Sequence, residues 1–115
     1  MDFVFIRRSA ALAAFAMVCL GILAFAARDA QAANASVSIA NFAFAPASVS
    51  VNVGDTVTWT NNDAGVPHTA TADGGAFNSG TLSSGGTFAF TFTAPGTFAY
   101  HCNIHSSMKG TVRVT

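Results

Sequence analysis

Glutamate does not occur in this chain of 115 residues; its five acidic residues are all aspartate, set against five Lys and Arg. Beyond residue 32 the only charges are Asp55, Asp63, Asp73, Lys109 and Arg113, a balance of about −1. So few and so dispersed, they exclude a nucleic-acid footprint, which needs clustered Lys and Arg. Cysteine is almost as scarce. Of the two, Cys19 and Cys102, only Cys102 lies outside an apolar N-terminal run, so the remainder of the chain cannot form an internal disulfide. No later segment carries apolar residues at helical spacing, which excludes a helical bundle. There is no linker or internal repeat, and the length suits one small domain.

The N-terminus reads as a targeting segment. Arg7 and Arg8 precede an uncharged run from Ala10 to Ala27, and Ala30-Gln31-Ala32 has the small-x-small pattern of a cleavage site. The run sits at the short end of what spans a bilayer. A cleaved signal peptide over residues 1–32 is therefore expected, by general secretion, with a single domain over 33–115 and no membrane insertion afterwards. That route implies a periplasmic location. A lone thiol in such a compartment is expected to be oxidised, shared or occupied, and a metal is its simplest occupant.

After residue 33 the pattern is period two nearly throughout. Val37 and Ile39, then Val49, Val51 and Val53, then Val57 and Trp59, alternate with small polar residues. Phe88, Phe90 and Phe92 alternate with Ala89 and Thr91; Phe98, Tyr100 and Cys102 follow, and Val112 and Val114 close the chain. Short alternating runs broken by Gly, Pro, Asn and Asp signal half-buried strands. The expected fold is all-β, a sandwich or barrel of about seven strands. Trp59, Phe88, Phe90, Phe92 and Phe98 are expected in its core, with Phe42 and Phe44 covering one end. Residues 61–86, rich in Gly, Asn, Asp and Ser, form the least regular stretch, and His68 lies within it.

What the domain does contain is one thiol, three imidazoles and one thioether: Cys102, His68, His101, His105 and Met108. Singly each has an ordinary explanation: inert core for Cys102, a loop position for His68, gap-filling for Met108. Their spacing is harder to dismiss. Cys102-x2-His105-x2-Met108 falls on one tight connection between a strand ending near Cys102 and the last strand, where all three side chains can converge while His68 reaches in from another loop. Two His and a Cys in a plane with a weak axial Met form the blue-copper arrangement. Structural zinc sites normally take four Cys or His ligands, and thioether is a poor fourth. Strand alternation turns His101 to the face opposite Cys102, so it is not expected to bind metal. It is a solvent-facing residue or, alternatively, an exit route for electrons next to the thiolate.

The stretches Val53-Gly54-Asp55-Thr56-Val57-Thr58-Trp59 with Pro67-His68, and Gly96-Thr97-Phe98-Ala99-Tyr100-His101-Cys102 through Met108-Lys109-Gly110, resemble a cupredoxin. The plastocyanin and amicyanin branch is the nearest likeness, and the short gap from His105 to Met108 is similar to amicyanin. The resemblance implies a Greek-key sandwich with one copper ion, His68, Cys102 and His105 as equatorial ligands and Met108 as the axial one. The chain departs from amicyanin in two places. Its ligand loop has no proline, which implies a more flexible loop. Thr69 stands where the family usually has Asn; its N–H is expected to donate to the Cys102 sulfur and its hydroxyl to clasp the two ligand loops.

The function implied is that of a soluble, monomeric one-electron carrier between redox-protein partners, with Val66, Pro67 and Ile104 as candidates for an apolar docking patch near His105. The alternative is a copper-binding or delivery protein using the same ligands. An enzyme is not expected, because a catalytic copper cluster needs several more histidines and only His101 is spare.

Overall fold

The computed structural model describes residues 34–115; the expected signal segment, residues 1–32, lies outside the described residues. Alternation becomes strand wherever one face can be buried. In β1 (Asn34–Ala40) Val37 and Ile39 turn inward, and in β4 (Thr56–Asn61) Val57, Trp59 and Asn61 are buried between half-buried threonines. β2 (Ala43–Ala45) folds back on β1, and β6 (Thr87–Thr91) pairs with β4, giving a sheet ordered β2-β1-β4-β6. β3 (Ser48–Val51), β5 (Thr71–Ala72), β7 (Gly96–His101) and β8 (Lys109–Val114) form the second sheet, ordered β3-β8-β7-β5. β1 runs parallel to β4 and β3 parallel to β8; the other pairs are antiparallel. The chain changes sheet at every connection from β2 to β7, so the two sheets are woven into a Greek-key sandwich. Among the described residues there is no helix.

Eight strands stand where about seven were expected. The alternations at 37–39, 49–51, 56–60, 88–91, 98–101 and 111–114 all form strands, and β2 and the two-residue β5 are the ones that no alternation announced. The run through Val53 stops short: β3 ends where its pairing with β8 ends, at Val51 opposite Val114, and Val53 is left 47% exposed.

The core lies between the sheets. Trp59 and Phe92 are fully enclosed, as expected, but Phe88 and Phe90 are only half-buried, because β6 is an edge strand with solvent beyond it. Phe77, from the irregular stretch, takes the central place. Its ring lies within about 6 Å of those of Trp59, Phe88, Phe90, Phe92 and Tyr100. Phe44 is buried edge-on against Tyr100, whereas Phe42 stays outside, above the end of the sandwich where the chemistry collects.

Candidate metal centre

Two connections meet at one end of the sandwich. The β4–β5 connection is shaped by Asn61, a buried amide at the end of β4 whose Nδ2 donates to the carbonyls of Val66 and Leu82 and whose Oδ1 accepts from the N–H of Asp63. Next along that loop, His68 exchanges both backbone hydrogen bonds with Leu82, at 3.1 and 2.7 Å, so its main chain is held like a strand residue. The β7–β8 connection starts from the pair His101–Lys109. It closes on itself: Cys102 N–H donates to the Met108 carbonyl, and Met108 N–H donates to that of His105.

This scaffold brings three side chains together. The donor atoms of His68, Cys102 and His105 lie within 4.8 Å of one another. Cys102 Sγ is 3.8 Å from His68 Nδ1 and 3.9 Å from His105 Nδ1. A metal bonded at about 2.0 Å to imidazole nitrogen and about 2.3 Å to thiolate, with angles near 120°, sets S and N about 3.7 Å apart. The residues fit such an ion without rearrangement. His68 and Cys102 are fully buried, His105 half-buried, and Met108 is buried beside them with its backbone tied to both loop ligands.

The sulfur environment favours a thiolate. Burial pushes the Cys102 thiol up, but the N–H groups of Thr69 and His105 (each 3.4 Å from Sγ), the His68 ring and the N–H of Ile104 outweigh it, and the thiol is brought down to about 6. An unfolded chain keeps the thiol protonated up to about 9. Between these values the unfolded state holds a proton that the folded state has released, so stability rises with pH. The reduced, metal-free protein is therefore expected to become more stable from about pH 6 towards 9 and to lose that increment as pH falls back through 6. Urea midpoints below, between and above those values check this, and a flat profile would contradict it.

Thr69 acts as expected at both of its groups. Besides its N–H on Sγ, its hydroxyl accepts the N–H of Asn103 at 2.8 Å and so clasps the two ligand loops. Thr69→Val removes that clasp with little change of shape. The expected cost is about 1 kcal/mol, seen as a lower urea midpoint with unchanged slope.

His101 also behaves as the alternation requires. It points away from the centre, its Nδ1 against Asp73 and its Nε2 2.9 Å from Asn103 Oδ1.

Two contributors were not foreseen. His68 Nε2 meets Asp63 Oδ2 at 2.6 Å. The Phe42 N–H does most to hold the Asp63 carboxyl below its ordinary value, against partial desolvation, with the Asn41 N–H and the His68 ring adding to it. Phe42 itself stands edge-on to both ligand imidazoles, with ring centroids 5.7 Å from His68 and 4.9 Å from His105. In the sequence, Asn61-Asn62-Asp63 reads only as turn material, and nothing local marks the carboxylate as a partner of His68.

A family model for copper binding proteins of the plastocyanin/azurin family matches residues 31–115. The chain belongs to that family. Solved structures agree with the assignment. A purple cupredoxin from Nitrosopumilus maritimus is 32% identical with a TM-score of 0.65, over 70% of this chain and 99% of that one. A Cu(I) form of an amicyanin variant is 32% identical with a TM-score of 0.67, over 75% and 88%. A copper-containing nitrite reductase from Thermus scotoductus is 28% identical with a TM-score of 0.69, but the match spans only 25% of that chain. No curated protein sequence matches significantly. The protein is thus a cupredoxin close to amicyanin, its cofactor is copper, and its His68, Cys102 and His105 are grouped as a type 1 copper site requires.

Proposed function

We propose that this cupredoxin is a periplasmic one-electron carrier, with residues 1–32 as a cleaved signal peptide and residues 33–115 holding one copper ion on His68, Cys102, His105 and Met108. The observation that carries the reading is the prearranged S/N2 triangle, with Sγ 3.8 and 3.9 Å from the two ring nitrogens. Copper bound there supplies a one-electron Cu(I)/Cu(II) couple. The protein's part is to keep the ligands still. Leu82 and Asn61 anchor the His68 loop, the Cys102–Met108 and Met108–His105 backbone bonds anchor the other, and two N–H groups stabilise the thiolate. A site held by the sheets rather than by the metal changes little between oxidation states.

His105 is the more accessible imidazole. Around it Phe42 is 54% and Ile104 45% exposed, with Pro67 also exposed, which suits brief apolar docking of redox-protein partners. A monomer is proposed, and no enzymatic role: His101, the one spare imidazole, is engaged by Asp73 and Asn103.

The test is to load residues 33–115 with Cu(II), then record the visible spectrum, the electron self-exchange rate and the rate of copper loss to a chelator. An intense thiolate-to-copper band with fast self-exchange and slow copper loss is expected. A colourless protein would overturn the type 1 site, and a coloured protein stripped rapidly would make copper delivery the function.

A further inference from the structure

β1 and β2 are joined by a turn in which Ala40 pairs with Ala43, leaving Asn41 and Phe42 as the two connecting residues. Both lie in the left-handed region, with φ of 54° and 58°. A two-residue hairpin of this kind accepts Asn at the first position but strongly prefers Gly at the second, because a side chain there crowds the backbone. Phe at that position persists only if the surroundings hold it. One carboxylate does so. Asp63 Oδ1 accepts the N–H of Asn41 at 2.6 Å, and Oδ2 accepts that of Phe42 at 3.1 Å, so successive N–H groups converge on one anion. The same Oδ2 is 2.6 Å from His68 Nε2. An ionised carboxylate can only accept, so the neutral ring carries its proton on Nε2 and presents the Nδ1 lone pair toward Cys102.

We propose that Asp63 is the positioning residue of the metal centre, its single carboxylate fixing the His68 ring for metal and seating Phe42 as an apolar cover across both ligand imidazoles. The proposal rests on the copper reading above. A carboxylate behind a ligating imidazole orients the ring and raises its basicity, which favours the more highly charged metal state. Two effects of one residue follow. The charge lowers the reduction potential, and the turn it holds keeps water from the ligands.

Three variants separate these effects. Asp63→Ala is expected to leave metal-free His68 as a mixture of tautomers, read from the imidazole nitrogen shifts, and to weaken Cu(II) binding about 10–100-fold. Asp63→Asn keeps an acceptor oxygen without the charge. It is expected to restore the Nε2–H tautomer while leaving the potential above that of the parent. Phe42→Gly removes the cover while the turn and the carboxylate remain; copper loss to a chelator should quicken with the His68 tautomer unchanged. If Asp63→Ala and Asp63→Asn both keep the parent's tautomer and potential, the proposal is overturned. Should Asp63→Ala fail to fold, the potential of Asp63→Asn decides alone, an unchanged value counting against it. A parent protein that takes up copper without the thiolate band would instead overturn the copper reading, and the metal-free tautomers would still judge Asp63.

Discussion

Cys102→Ser is expected to give a folded protein that cannot develop the intense visible band on adding Cu(II). The band requires a thiolate donating charge to copper, and Cys102 supplies the thiol whose sulfur lies within 4.8 Å of the donor nitrogens of His68 and His105. A serine oxygen is harder, more basic and sits closer to the backbone, so it neither reaches the same point nor ionises near neutral pH. Little else changes. The hydroxyl stays facing the N–H groups of Thr69 and His105 that Sγ accepts from, and weakening those two contacts at a fully buried position costs about 1 kcal/mol. Visible absorption with Cu(II) and the Tm of the metal-free protein check both halves. The same variant should lose the rise in stability between about pH 6 and 9, since the group responsible is gone. Survival of the band would move the site elsewhere.

Gly110→Ala is expected to be the most damaging small substitution in the sandwich. Gly110 lies on β8 directly opposite Tyr100, whose ring crosses over it. A Cβ added there would stand 2.3 Å from Tyr100 Cζ, 2.4 Å from its Oη and 2.7 Å from Cε1. The ring cannot swing aside, being enclosed and packed edge-on against Phe44 and Trp59. Relief must come from separating β7 from β8, and Cys102 follows β7 immediately. The expected loss is about 3 kcal/mol or more, at the upper end of overpacking costs. A displaced thiolate should also weaken the copper band. Gly74→Ala is the control: its Cβ would meet nothing within 4 Å, and its φ is not in the left-handed region. Urea denaturation of the two side by side should show a large shift of midpoint for the first and almost none for the second.

Much of this centre was legible in the chain. Cys102, His105 and Met108 occupy one connection of fixed length, and strand alternation alone separates His101 from them. Thr69 was legible too, as a hydroxyl replacing an amide at a known position. Phe77 was not, because a single aromatic in a Gly- and Ser-rich stretch has no period to declare its direction. Nor was the half-burial of Phe88 and Phe90. Period two says that their side chains share a face, but whether another strand lies beyond β6 depends on sheet order.

The division follows the range of the forces involved. Backbone geometry alternates side chains every residue, and a short loop limits where its own residues can reach, so strand content and the chemistry of the ligand set were determined by the sequence itself. Only the tertiary structure decided that Asp63 meets His68, that the same carboxylate holds Asn41 and Phe42 some twenty positions earlier, and that Thr69 reaches Asn103 across 34. Those contacts join separate loops at one end of the sandwich. Their partners are chosen by how the two sheets pack and where each connection crosses between them, which no local pattern records.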